Sequence, residues 1–276
     1  RTGPDRRTVL YATAAVLLPT RGPHRLAVKM SLTNNLIFRQ LFDRTTCTYS
    51  YLLADPFTKD AVLIDPVIEL AERDAALIKE LGLNLKYAIN THMHADHITG
   101  SGKLKFLLPG TKSVISEHSK AAADILVDEG DEIKFGNLKL LVLRTPGHTN
   151  GCVTYVLESK GMAFTGDALL IRGCGRTDFQ EGCPAILYES VHTKILSLPE
   201  DTLLYPAHDY NGMTVTSVKE EKSFNPRLTK PKEEFIELMN NLNLSYPKKI
   251  DESLPANKVC GIYNLPEHLA FQKMSV

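Results

Sequence analysis

Neither sign of charge predominates in this chain. Its 32 lysines and arginines stand against 32 aspartates and glutamates, so no net field favours nucleic acid or an anionic membrane as partner. No run is long and apolar enough to span a bilayer. Cysteine is scarce and unpatterned: Cys47, Cys152, Cys174, Cys183 and Cys260 are odd in number, widely spread and without a Cys-x-x-Cys pair. That argues against a disulfide framework and for a reducing compartment. Internal repeats and low-complexity blocks are also missing. What remains is 276 residues, 43% hydrophobic and 23% charged, an ordinary globular composition for one large domain or a core domain with an appendage.

Acids are nearly missing from the first 30 residues. Arg1, Arg6, Arg7, Arg21, Arg25 and Lys29 face only Asp5, around an apolar run from Val9 to Leu18. An Arg-rich, acid-poor segment of this kind reads as an organelle transit peptide, mitochondrial first and plastid second. A secretory h-region, a twin-arginine signal and a leader with no address in a cytoplasmic protein are the rivals. Residues 1–30 are therefore expected to be a targeting or disordered leader, and 31–276 one domain with a C-terminal helical segment.

From Leu36 the pattern is globular. Leu36 to Phe42 and Cys47 to Leu53 read as a hairpin-like strand pair, and Ala61 to Asp65 as a short buried strand. Leu70, Leu77, Ile78 and Leu81 recur at helical spacing, with Gly82 as the residue that ends the helix. Further strands are expected at Leu85–Ile89, Ser113–Ile115, Glu132–Ile133, Leu138–Leu143, Cys152–Val156, Met162–Phe164 and Leu203–Ala207. A helix is expected through Ala121-Ala122-Ala123, taking in His118. The tail from Thr214 reads as mostly helical, with Phe235, Leu238, Met239 and Leu242 on one core-facing stripe. Strands grouped in sequence and mixed with helices suggest two packed sheets with helices outside, an αββα layering.

Three of the nine histidines fall in Asn90-Thr91-His92-Met93-His94-Ala95-Asp96-His97. A divalent metal gives a physical reason for such crowding, because neutral imidazole is its commonest ligand. This is not the helical His-Glu-x-x-His arrangement. It reads as a loop at a strand's carboxyl end, with alternate side chains converging. His148 in Thr-Pro-Gly-His-Thr, Asp167 after Phe164-Thr165-Gly166, and His208 with Asp209 each follow an apolar strand in the same way. One such residue alone would be a turn or cap; four such sites together point to a metal centre. The ligand inventory by itself also allows a dinuclear zinc hydrolase that activates a bridging water.

This constellation resembles the metallo-β-lactamase superfamily from about residue 36 to 210, and within it the persulfide dioxygenase family. The likeness is carried by Asn90 to Gly100, Phe164 to Phe179 with its Arg-Gly-Cys-Gly-Arg-Thr-Asp-Phe run, and Tyr205 to Tyr210. It extends through Asn225-Pro226-Arg227-Leu228, Pro255-Ala256-Asn257 and Cys260-Gly261. The resemblance implies an αββα sandwich of two mixed sheets packed face to face, and a catalytic domain over 31–276. It further implies one Fe(II) per chain on His92, His148 and Asp167, with His94, Asp96, His97 and His208 supporting the site or forming the alternative metal set. The implied reaction oxidises glutathione persulfide with O2 to sulfite and glutathione. The runner-up is a hydroxyacylglutathione hydrolase with two zinc ions; a non-catalytic sulfide carrier is the third reading. The implied address is the mitochondrial matrix. Neither nucleic acid nor membrane is expected as partner, and a homodimer is compatible with the sequence.

Arg172 and Arg176 are the candidates for the substrate's carboxylates, since guanidinium can grip them in bidentate fashion, and Arg176 is favoured because Gly175 permits close approach. Tyr210 is the candidate hydrogen-bonding partner. Cys174 reads first as a small buried hydrophobe and second as a sulfur acceptor. Cys183 and Cys260 read as structural, Asp178 as a loop or cap residue, and His118 and His192 as outside the metal cluster.

Overall fold

The structure is a computed structural model and describes residues 35–261; the expected leader and the tail from Leu265 lie outside the described residues. Six strands form the first sheet in chain order: β1 Ile37–Phe42, β2 Tyr49–Ala54, β3 Asp60–Ile64, β4 Asn84–Ile89, β5 Lys112–Ser116 and β6 Ile125–Val127. The second sheet holds β7 Glu132–Phe135, β8 Leu138–Arg144, β9 Val153–Leu157, β10 Met162–Gly166, β11 Leu203–Pro206 and β12 Thr216–Ser217. Both sheets are mixed. Strands β3 to β6 run parallel, as do β10 and β11, and the remaining neighbours are antiparallel.

Alternation sorts the side chains into layers. On β2 and β3, Tyr51, Leu53, Val62 and Ile64 turn inward to meet Phe135, Leu140, Tyr155 and Phe164 of the second sheet. Leu52, Ala54, Ala61 and Leu63 point outward and pack beneath α1 (Ala71–Glu80) and α2 (Ser101–Leu107). The second sheet's outer face, through Val156, Ala163 and Leu204, is covered by α3 (Pro184–Ser190) and α5 (Lys232–Asn240), with Phe235 and Met239 in the contact. Helices α4 (Val218–Phe224) and α6 (Ile250–Asn257) complete the helical tail. Strands covered on both faces need apolar residues at every position, which is why they read as unbroken hydrophobic runs. The αββα sandwich is as expected, and so is the core role of the Phe235 stripe.

Local signals hold where no tertiary partner competes. Gly82, at φ +62°, closes α1: its N–H donates to Lys79 O and the Leu83 N–H to Ile78 O, each at 3.0 Å. The alanine run is different. The chain makes one 3-10 turn at Glu117–Ser119, ended by Lys120 at φ +54°, and 121–123 is not helical. The Ala122 N–H donates to Lys258 O at 2.7 Å, and the Asp124 carboxylate takes the Ser113 N–H at the same distance. Those partners fix 121–124 as the approach to β6, and helix propensity of a few tenths of a kcal/mol per residue yields to them. The short β6 and β12 carry too little pattern to be read from sequence.

Topology then places the site. The parallel β3 and β4 end at one edge of the first sheet. Antiparallel pairing of β8 with β9 and of β9 with β10 makes β8, β10 and β11 share a direction. Hydrogen bonds stitch these two edges together: Val153 N to Thr91 O at 2.9 Å, Tyr49 N to Ala207 O at 2.7 Å, and the Tyr155 hydroxyl to Asn90 O at 2.8 Å. Every strand that delivers a predicted metal ligand therefore ends at the same seam.

Candidate metal centre

The seam brings His92, His148 and Asp167 into one group. Asp167 Oδ2 lies 4.0 Å from His92 Nε2 and 3.7 Å from His148 Nε2. Ligands at about 2.1 Å from a common ion sit about 3–3.5 Å apart, so sub-ångström shifts close this trio on one cation. The protein also fixes which nitrogen is free. The Thr91 hydroxyl donates to Asp65 Oδ2 at 2.8 Å and stands 3.0 Å from His92 Nδ1. With the hydroxyl proton spent on Asp65, that second contact requires the imidazole proton on Nδ1, which leaves the Nε2 lone pair facing Asp167. His148 is set the same way, its Nδ1–H donating to Arg176 O at 2.6 Å.

Asp167 uses its other oxygen differently. His208 Nδ1 donates to Oδ1 at 2.7 Å, and His208 Nε2 donates to Asp96 Oδ2 at 3.0 Å. Burial alone would raise the Asp167 carboxyl, but the His208 ring, and then His92 and His148, hold it below the usual carboxylate range. Burial would likewise lower His208, yet the two carboxylates that flank it raise it well above an ordinary imidazole. With each ring's Nδ1 engaged by Thr91 or the Arg176 carbonyl, the trio turns one carboxylate oxygen and two Nε2 atoms to a common point, a donor set that suits a divalent ion with open positions.

The remaining superfamily positions form a second group of His94, Asp96, His97 and His208. His97 Nδ1 meets Asp96 Oδ2 at 3.1 Å, while His97 Nε2 and both His94 nitrogens are buried without a hydrogen-bond partner. Asp65 Oδ1 lies 3.1 Å from His94 Nε2, an ion-pair distance without hydrogen-bond geometry. Behind this loop the Asn257 amide donates to the carbonyls of His94 and His97 at 2.8 and 2.9 Å, and its oxygen accepts from Thr99 N. Gly175 is packed so closely that a Cβ there would lie 2.6 Å from Asp167 O and 2.7 Å from His148 Nδ1.

A cleft of about 650 Å³ opens over the trio. Another cavity, about 330 Å³ beside Met93 and Lys120, gathers none of the trio. The group Glu117, His118 and Asp128 is a surface ion-pair network that also involves Arg144.

A family model of the metallo-β-lactamase superfamily matches residues 47–208. The chain is 58% identical to the protein named persulfide dioxygenase ETHE1, mitochondrial, of Mus musculus, over 88% of this chain and 95% of that one. It superposes on the crystal structure of ETHE1 from Myxococcus xanthus with a TM-score of 0.79 at 50% identity, covering 82% of this chain and 99% of the other. The chain belongs to the persulfide dioxygenase family. Its likeness to the cytoplasmic hydroxyacylglutathione hydrolase of Arabidopsis thaliana is more distant, 35% identity over 59% of this chain and 64% of that one.

Within the cleft, the structure commits two of the expected substrate contacts elsewhere. The Arg172 guanidinium is paired with Glu221 and Glu220 and donates to the Thr216 hydroxyl at 3.1 Å. Arg176 forms a fork on Asp178, Nε to Oδ1 at 2.6 Å and Nη2 to Oδ2 at 2.7 Å, so Asp178 is an ion-pair partner and not a cap. The close approach at Gly175 is to Asp167 O and the His148 ring. Tyr210 lines the cleft mouth with its ring stacked parallel to His208 at 6.3 Å. It is held there by Asp209, whose carboxylate accepts the N–H groups of Asn211 and Met213 at 2.9 and 2.7 Å. Arg227 also lines the cleft; it donates from Nη1 to Cys174 O at 3.1 Å, and no carboxylate pairs with it among the described residues. Sequence reasoning did not single out Arg227, Asn257 or Asp65 for a role. The Asn-Pro-Arg-Leu and Pro-Ala-Asn stretches were the available signals for the first two.

Cys174 is buried against Met239, Sγ to Sδ 3.7 Å, and burial pushes its thiol up to about 11. A thiol kept protonated favours the structural reading over a sulfur acceptor.

Proposed function

We propose that this chain is a mitochondrial persulfide dioxygenase, with one Fe(II) on His92, His148 and Asp167 and glutathione persulfide as substrate. The balanced reaction is glutathione persulfide plus O2 plus water giving glutathione, sulfite and two protons. The S–S bond breaks, the terminal sulfur is oxidised, O2 takes four electrons, and water supplies the third sulfite oxygen. The observation that carries the reading is the division of labour at Asp167: Oδ2 faces the two free imidazole nitrogens while Oδ1 is held by His208. Two histidines and one carboxylate on one face are the non-haem iron oxygenase pattern. Iron held by these three residues would supply the one-electron chemistry that O2 needs.

The chain's own groups do the rest. Thr91 and the Arg176 carbonyl keep the Nδ1 protons of His92 and His148 in place, so neither ring can turn its protonated nitrogen toward the ion. His208 anchors the carboxylate. Arg227 offers the cleft a guanidinium for a substrate carboxylate, and Tyr210 a hydroxyl at the rim.

A second reading, the two-zinc glutathione thioester hydrolase, is favoured by one observation: the buried, partnerless nitrogens of His94 and His97. Oxygen uptake by the ferrous-loaded protein separates the two. Persulfide-dependent uptake with sulfite formed in proportion supports the dioxygenase. No uptake from a folded, iron-replete sample, together with thioester cleavage by a zinc-loaded sample holding two ions per chain, supports the hydrolase.

A further inference from the structure

The wall of the cleft farthest along the chain is the segment 241–249, between α5 and α6, which contributes Leu244, Ser245 and Pro247. It has no regular secondary structure up to Tyr246, and Leu244 and Tyr246 are half exposed or more. What holds it is Arg176. Beyond its fork on Asp178, Arg176 donates from Nη1 to Ser245 O at 2.8 Å and from Nη2 to Leu244 O at 3.4 Å. The Phe179 ring covers the guanidinium at 4.8 Å, and the same ring meets Tyr246 edge-on at 5.5 Å. The Tyr246 hydroxyl donates to Asp251 Oδ1 at 2.7 Å, returning the tether to the start of α6.

We propose that Arg176 is a positioning residue that clasps segment 243–247 to the rim, so that this segment, and not the Arg176 charge, selects the persulfide by its peptide arms. The inference rests on the persulfide reading of the cleft. Two carbonyls and one carboxylate occupy the planar fork, and a substrate carboxylate would have to displace Asp178 to reach it. Arg176 also joins the two ends of the site. Its carbonyl orients His148 while its side chain sets the wall, so the distance from the reacting sulfur to the selecting surface is fixed through one residue.

Asp178→Ala and Arg176→Ala distinguish a clasp from a direct grip, because the two schemes give Asp178→Ala opposite signs. If Arg176 gripped substrate, freeing it from Asp178 would lower KM for glutathione persulfide or leave it unchanged. If it clasps the wall, both variants raise that KM several-fold, and Asp178→Ala does so with kcat and bound iron retained, a loss of uniform binding. For a short alkyl persulfide, which has no peptide arms, kcat/KM stays at the wild-type value in Asp178→Ala. Hydrogen exchange supplies the second readout: amides of 241–249 should exchange faster in both variants while β10 and β11 keep their protection. A lowered or unchanged KM in Asp178→Ala, or unchanged exchange across 241–249, overturns the proposal. Should the wild-type protein show no persulfide-dependent oxygen uptake, the catalytic reading fails by itself; exchange and calorimetric titration of the iron-loaded variants with glutathione then decide the clasp by the same signs.

Discussion

Gly175→Ala tests the metal centre through sterics alone, with no ligand removed. A Cβ at this position would stand 2.7 Å from His148 Nδ1, 2.8 Å from His148 Cγ and 2.6 Å from Asp167 O, against the 3.4 Å at which ordinary contact begins. Relief requires a displacement of several tenths of an ångström. The Asp167 carbonyl has little freedom, because it already accepts the Gly175 N–H at 2.7 Å. The His148 ring is therefore what must move, and moving it lengthens the bond from Nδ1 to Arg176 O and swings Nε2 out of the trio. Metal–ligand distances tolerate about 0.2 Å, and loss of a supporting bond to a ligand typically costs about 10–100-fold in metal affinity. Iron affinity should fall by that range, measured by competition with a chelator of known affinity, and oxygen uptake at limiting iron should fall with it. Overpacking one methyl at a cleft wall costs about 1–3 kcal/mol, so the variant should still fold. Gly173→Ala is the control: its Cβ would meet only Leu170 Cβ at 3.9 Å, and iron affinity should not change. Wild-type iron affinity in folded Gly175→Ala would refute the steric account of the site.

Other perturbations separate structural from chemical roles. Arg172→Ala strips the partner from the fully buried Glu221, so it should cost about 3–5 kcal/mol in chemical denaturation while KM in the surviving folded protein holds; a raised KM at full stability would restore Arg172 as a substrate contact. Cys174→Ser should leave sulfite production intact at a stability cost of about 1–3 kcal/mol, since the thiol is buried and protonated; loss of turnover in folded, iron-loaded protein would make it a sulfur acceptor. Asp55 gives a pH signature. Burial would raise its carboxyl, but the Asn137 N–H at 2.6 Å, with the Phe57 N–H and the Asn137 amide, lowers it below the ordinary 3.8. A depressed folded value means stability fully present above about pH 4 and lost as pH falls through the folded value. Denaturation midpoints between about pH 2 and 5 should therefore flatten in Asp55→Ala relative to wild type. An unchanged acid limb would show that Asp55 has no part in it.

What the sequence determined by itself is local and chemical. Hydrophobic runs covered on both faces marked the strands, Gly82 marked the end of α1, and residue type at strand ends marked His92, His148, Asp167 and the second group. The strand and helix-end readings hold because they need only a short apolar run and a local cap, and the residues marked by their scarce types come together in two groups in the fold. Tertiary structure decided everything that depends on who else is nearby. Ala121 to Ala123 follow the Lys258 carbonyl and not their helix propensity. Arg172 and Arg176 read as candidate grips for a substrate carboxylate, with a structural ion pair as the rival; Glu221, lying 49 positions later, takes up Arg172, and Asp178 with the distant carbonyls of Leu244 and Ser245 takes up Arg176. Among the described residues Arg227 has no carboxylate partner, and Cys174 O is the neighbour the fold gives it. A guanidinium's role is set by its partners, and partners distant in sequence leave no trace in the residues around it.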